Sequence, residues 1–402
     1  MSVWAKLHSN FKGLDGRWAA AGMVTGFLIA VYILGKQTDF VSVWARLGVE
    51  HLLPSFADMR FLTSALEAHR AGVNPYVSSP FDPWLRPLNY PRVWLTLSAI
   101  GLGARHTVVL ALVLAAGFYT AMMFLVGRIT VAQGLVYGVL LCSPPAMLAV
   151  ERGNIDLVIF VLLTVAALTF DYRTVSYASY VLLTLAAILK LYPVCGFAVG
   201  LRERRRRGLL LLAVGLAVFA VYVYCIRADI AFMVANTPQI KEISFGRRVL
   251  FEKLASMKLA VPVETGSRLA VVASIIMALI ISSVVKRPEF SSPAGTAMAV
   301  GAGIYAGTFV AMNCFNYRLI FLLFLVPQLL AWGGRRDRYR WVGKAFILII
   351  TVAMLLASAR YPQFFIPKEI LNWSVFIFCV FVLVCLSRDA SLAIFSRWRS
   401  PG

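Results

Sequence analysis

Asp58 stands in the segment 56–62, Phe-Ala-Asp-Met-Arg-Phe-Leu, where apolar spacing predicts an amphipathic helix near 57–71. A carboxylate there has two readings. It can be a general base, since partial burial strengthens a carboxylate as a proton acceptor. It can also be a first-turn acid favoured by the helix dipole. Further along, Glu151, Arg152, Gly153, Asn154 and Asp156 crowd one connection between two apolar runs. Arg152 has Glu151 and Asp156 as possible internal partners, or a phosphate as an external one. Lys190 ends one apolar run and is followed at once by another, through Leu191, Tyr192 and Pro193. Its ammonium either snorkels to a polar boundary or meets an anionic ligand. Arg318 repeats the arrangement beside Asn313, Asn316 and Tyr317, and Arg60 adds a further cation. One carboxylate and several cations suit a reaction in which a hydroxyl loses its proton and a phosphate departs.

Two turn segments complete the candidate set. Gly72 followed by Asn74-Pro75-Tyr76 reads as a helix stop and turn that aims the preceding helix. Tyr90-Pro91 precedes a short apolar stretch and reads as an interfacial aromatic anchor. No metal-ligand spacing is evident. The four histidines, His8, His51, His69 and His106, are scattered, and the six cysteines lie in or beside apolar runs without a C-x-x-C pair. No metal or other cofactor is therefore expected.

These residues must be positioned by membrane-spanning helices. Hydrophobic residues make up 60% of the 402 positions and charged residues 14%, with mean hydropathy +0.80. Soluble chains carry about 25% charged residues. The net charge of +21 would point to nucleic acid in a soluble protein. Here Lys and Arg collect in short connections, at 202–207 and 335–340, as the positive-inside bias requires beside anionic lipid, so no nucleic-acid partner is expected.

The apolar runs predict spans near 18–35, 106–127, 131–149, 155–170, 174–189, 191–201, 208–226, 266–285, 294–312, 318–333, 343–359 and 371–387. The expectation is an all-α polytopic membrane protein of about 12 transmembrane helices, a single membrane domain over 1–402 with both termini cytoplasmic. Residues 36–104 form a large first extracytoplasmic loop and 227–265 a second. The piece 191–201 is half a span and pairs with 174–189 across the Tyr192-Pro193 break, which lipid tolerates only where protein or a water-filled cavity surrounds it. The stretch 93–103 is too short to cross and is placed on the interface.

In this order the motifs resemble the GT-C-fold glycosyltransferases, and most closely glycosyltransferase family 87, the polyprenyl-phosphate-mannose-dependent mannosyltransferases. The family's first loop has an Asp ahead of a helix ending in G-x-N-P-Y, matched here by Asp58, Gly72, Asn74, Pro75 and Tyr76. Its Y-P-P element is matched by Tyr90 and Pro91 but carries Arg92 in the last place. Gly153-Asn154 matches a G-N/Q segment and Lys190-Leu191-Tyr192-Pro193 a K-x-Y-P break. The likeness covers residues 50–210; beyond them it consists of helix layout and Asn316-Tyr317-Arg318.

The resemblance implies a bacterial inner-membrane transferase that moves mannose or a related sugar from a polyprenyl-phosphate donor to a glycolipid or glycan acceptor. Asp58 is then the base. Lys190, Arg152, Arg318 and Arg60 are donor-phosphate ligands, and Asn74, Tyr76, Tyr90, Asn154, Tyr192 and Asn316 line the substrates. Three other classes compete. A lipid or polysaccharide transporter would share the broken helices, although no internal repeat is evident. An acyltransferase would need a catalytic His, and His106, beside a span, has no acidic neighbour. A scaffold without turnover would leave Asp58, Lys190 and Arg318 far apart.

Overall fold

Sustained apolar runs fold as helices because hydrocarbon offers no partner to a free backbone N–H or C=O. The computed structural model describes residues 15–172, 176–203, 206–237, 240, 243–259, 261–311, 313–358 and 362–399. The N-terminal stretch 1–14, Arg173, and Arg204 and Arg205 of the basic run 202–207 lie outside them.

Eight helices among the described residues are long and apolar enough to cross a membrane: Gly16–Gln37, Ala104–Val126, Arg206–Cys225, Val263–Val284, Ala294–Ala311, Asn316–Gly333, Tyr339–Leu356 and Gln363–Arg388. The chain is an all-α, multi-pass membrane protein. Its only pairing of strands among the described residues is a two-residue ribbon, with Ser244 opposite Phe315 and Phe245 opposite Cys314.

Five expected spans depart from simple helices, among them 318–333, which begins as the 3₁₀ segment Asn316–Leu325 and continues as the α-helix Val326–Gly333. The run 131–149 divides into Val131–Leu141 and Pro144–Arg152, bent by 55°. Pro144 and Pro145 have no N–H to donate, so the hydrogen-bond ladder cannot pass through them, and a new helix starts there. Asp156–Thr169 and Ser176–Lys190 are apolar α-helices of 14 and 15 residues, below the usual span of about 17–25. The half-length piece is the 3₁₀ helix Tyr192–Arg202. Its 11 residues cover about 22 Å at a 3₁₀ rise of about 2.0 Å, the distance that 15 residues of α-helix cover at about 1.5 Å. The stretched winding thus lets a short segment run back along the whole of Ser176–Lys190.

The interior is built from small and aromatic residues. Ala294–Ala311, rich in Gly and Ala, is largely buried and lets Tyr192–Arg202 and the 3₁₀ segment Asn316–Leu325 close against it. Phe160 gathers Phe118, Phe321 and Phe324 around it, with ring centroids 5.1, 5.9 and 4.5 Å away. Arg206–Cys225 is the opposite case. It leaves Leu210, Val214, Val218 and Val221 exposed along its length, as a lipid-facing helix must.

The region 36–104 holds the expected amphipathic helix, Ala57–Arg70, and a 3₁₀ segment, Arg92–Ile100, at the expected short apolar stretch. Phe61, Leu62, Leu66, Tyr76, Tyr90 and Trp94 pack between them. Ile155 and Met233 join the same cluster and tie it to the start of Asp156–Thr169 and to helix Arg227–Ala235.

Candidate functional site

Four helix ends meet at one end of the bundle. The first turn of Ala57–Arg70 carries Asp58, the start of Asp156–Thr169 carries Asp156 with Asn154 just ahead, Ser176–Lys190 ends on Lys190, and Asn316–Leu325 begins with Asn316, Tyr317 and Arg318. Three of these placements, those of Asp58, Asp156 and Lys190, follow helix polarity, since acids favour N-terminal and cations C-terminal ends.

Asn154 connects them. Its Oδ1 accepts the Asp156 backbone N–H at 2.8 Å, which turns Nδ2 toward Asp58, to whose Oδ2 it donates at 2.6 Å. Lys190 Nζ donates to the same Oδ1 at 3.3 Å and lies 2.6 Å from Asp156 Oδ1. Arg318 Nε stands 3.7 Å from Asp156 Oδ2. One fully buried carboxylate therefore serves a buried ammonium and a largely buried guanidinium.

The turn that presents Asn154 depends on Gly153, at φ +56°. A Cβ there would sit 2.9 Å from Ala111 Cβ and 3.0 Å from Met59 Cβ, so the turn packs directly under the helix of Asp58.

Aromatic rings face the cations. Lys190 Nζ lies 5.0 Å from the Tyr90 ring centroid and 5.7 Å from that of Tyr317, and the Arg318 guanidinium lies 4.8 Å from that of Tyr192. Burial first, and the Asp58 carboxylate second, push the Tyr90 phenol well above its ordinary pKa, so it stays a neutral hydroxyl. The Tyr192 hydroxyl and Asn316 Oδ1 are buried without a hydrogen-bond partner, as is Arg60 Nε, and no carboxylate lies within ion-pair distance of Arg60 among the described residues. Unpaired polar atoms at this density mark a place where water or a ligand completes the bonding.

The sequence-predicted residues divide accordingly. Asp58, Asn154, Lys190, Tyr90, Tyr192 and Arg318 come together. Asn316 lies at the edge, with its side-chain amide bonded to the Ala357 carbonyl and its backbone N–H to that of Ile243 at 2.8 Å. Asn74 and Tyr76 brace the loop from behind: Asn74 Oδ1 accepts the Tyr76 N–H at 3.0 Å, and Tyr76 donates its hydroxyl to the Tyr90 carbonyl at 2.8 Å. Arg152 takes the Glu151 option, with Nε at 3.4 Å, and also holds Glu50, through the backbone carbonyl at 2.8 Å and the carboxylate at 3.7 Å.

Other site residues escaped the sequence reading. Arg86 holds buried Asp82 through two bonds of 2.9 Å, donates to the Ala57 carbonyl at 2.7 Å, and sets Nη1 3.9 Å from Asp58 Oδ1. The i,i+4 spacing of Asp82 and Arg86 was its only signal. His51 is not isolated: its Nδ1 lies 2.6 Å from Glu151 Oε1, both side chains buried. Arg92, the departure from Y-P-P, pairs bidentately with Asp229 at 2.9 and 2.7 Å, and that bond raises the arginine's pKa. It links the first loop to helix Arg227–Ala235.

Asp58 differs from the groups behind it in access. Its side chain is 18% exposed, against 7% for Lys190 and none for Asp156. Oδ2 is occupied by Asn154, and Arg86 is too far from Oδ1 for a direct hydrogen bond, so Oδ1 has a lone pair to offer an incoming hydroxyl. Among the described residues no three His, Cys, Asp or Glu side chains are grouped to hold a metal. No protein-family model, curated protein or solved structure matches the chain.

Proposed function

We propose that this protein is a GT-C-type membrane glycosyltransferase. It moves a sugar, mannose or a relative of it, from a polyprenyl-phosphate donor to a glycolipid or glycan acceptor at the extracytoplasmic face of a bacterial inner membrane. The observation that carries the reading is the chain Asp58–Asn154–Lys190–Asp156–Arg318, which joins an accessible carboxylate to a buried and a largely buried cation. A scaffold has no use for that arrangement. It costs free energy to keep two cations out of water on one counter-ion.

In this reading Asp58 Oδ1 takes the proton of the acceptor hydroxyl as its oxygen attacks the anomeric carbon. The bond from that carbon to the phosphate oxygen breaks, with inversion. The departing polyprenyl phosphate carries its negative charge to Lys190 and Arg318, which need no metal to neutralise it. Asn154 fixes the base and touches the phosphate-binding side at once. Tyr90 and Tyr192 line the space between as neutral rings. Arg60, lacking an ion-pair partner, is the next cation available to the donor. The twelve-span layout belongs to the same proposal, with four segments beyond the eight long helices, one bent and three short, each crossing in company with a neighbour.

Purified protein in nanodiscs, given radiolabelled polyprenyl-phosphate sugars and a membrane-lipid acceptor extract, tests the reading. Label appearing in a new lipid or glycan product supports it. Donor that stays intact but moves between leaflets of proteoliposomes overturns it in favour of a transporter.

A further inference from the structure

The end of the bundle away from Lys190 holds a cavity of about 290 Å³ lined by Ser176, Tyr177, Tyr180, Arg206, Arg207, Gly208 and Leu211. It lies where Ser176–Lys190 begins and Arg206–Cys225 begins. The length of the former puts about 22 Å of helix between this cavity and the Asp58 site. The two are separate.

Three features of the cavity point to one kind of ligand. First, Arg206 and Arg207 are exposed, and neither has an ion-pair partner among the described residues. Second, both stand directly ahead of the exposed apolar face that starts at Leu209 and Leu210, the position in a spanning helix from which a guanidinium reaches headgroups. The exposed Tyr177 ring lies at the same level, as interfacial aromatics do. Third, the floor is shaped. A Cβ on Gly208 would stand 2.1 Å from Glu203 Oε2 and 2.4 Å from the Tyr180 hydroxyl, so the chain passes directly over that hydrogen-bonded pair. Glu203, beneath it, is buried. The two guanidinium groups at its mouth are fork-shaped donors that suit the oxygens of a phosphate.

We infer that this cavity binds the phosphate of an anionic glycerophospholipid, seating one lipid between Ser176–Lys190 and Arg206–Cys225. A basic pocket between membrane helices differs from diffuse attraction to a charged leaflet by holding one molecule through detergent extraction.

The test uses the full chain extracted from nanodiscs of phosphatidylcholine with a minor fraction of phosphatidylglycerol, read by native mass spectrometry. Wild type is expected to retain one phosphatidylglycerol. Retention should fall by about tenfold in Arg206→Gln/Arg207→Gln and by less in Arg206→Lys/Arg207→Lys, which keeps the charge but loses the fork. Arg340→Gln/Lys344→Gln removes two exposed cations that pack on Trp341 and should retain lipid as wild type does. Equal retention in the glutamine variant overturns the proposal, and so does equal loss in the Trp341-side control. Displacement of the lipid by millimolar inorganic phosphate would make this a free-phosphate site and overturn the lipid assignment. Monodisperse gel filtration and unchanged helical circular dichroism qualify each variant.

Discussion

The Asn154 side chain donates to Asp58 at 2.6 Å although the two residues lie 96 positions apart in the chain. The amide has no freedom to turn away, because its oxygen is held by the Asp156 backbone N–H and by Lys190. This contact sets both the direction of the candidate base and its link to the buried cations.

Replacing Asn154 with Ala should therefore lower sugar transfer by about 10- to 100-fold, the worth of a hydrogen bond to a charged group at about 1.5–3 kcal/mol. Asn154→Asp should do worse, since it places a third carboxylate between Asp58 and Asp156. Initial-rate measurements on both variants check the order. Equal rates for the two would argue that the amide fills space only.

Among the described residues, Asp156 is the sole carboxylate between Lys190 and Arg318 at these distances. Asp156→Asn leaves buried Lys190 and largely buried Arg318 without their shared counter-ion and should destabilise the protein by about 3–5 kcal/mol. Adding Lys190→Met should recover part of that loss while transfer stays abolished. A thermal-melt cycle over the single and double variants measures the coupling, and an additive result would show that the pair does not interact.

Gly153→Ala should lower the melting temperature and also slow transfer. The residue is in the left-handed region, where a side chain costs about 1–2 kcal/mol, and the added methyl meets Ala111 and Met59 beneath Asp58. A variant that melts earlier yet turns over at the wild-type rate would separate this turn from the site.

The Arg92–Asp229 pair has good geometry, but its arginine is 67% exposed. Removing it with Arg92→Ala should cost no more than about 1 kcal/mol. Because the pair joins the first loop to Arg227–Ala235, the exchange Arg92→Asp/Asp229→Arg should regain what either reversal alone loses. Melting curves of the three variants decide this.

Much of the fold was legible because apolar runs in lipid have few ways to fold. The helix near 57–71, the short segment at 93–103 and the break after Lys190 were all readable from composition and from Gly and Pro positions. The bend at Ser143 was missed, although Pro144-Pro145 stood in the sequence, because the hydrophobic run around them is continuous. Winding was not legible at all. Nothing in the composition of 192–202 or 316–325 separates a 3₁₀ helix from an α-helix. For the site, residue type and helix-end position were enough to select Asp58, Asn154, Lys190 and Arg318. They were not enough for Arg86 or the His51–Glu151 pair, whose partners are set by tertiary approach. Asp156 was noted as a neighbour of Arg152, and only the packing revealed that it pairs with Lys190 and Arg318 instead.

The most direct test of the central claim is the rate of sugar transfer by Asp58→Asn beside wild type, in the same nanodiscs and at the same donor concentration. Asparagine keeps the size and the contact with Asn154 but cannot take a proton. The expected result is a folded, inserted variant whose turnover falls by about 10²–10⁴-fold, with donor binding retained. Turnover equal to wild type would contradict it and remove Asp58 from the role of base.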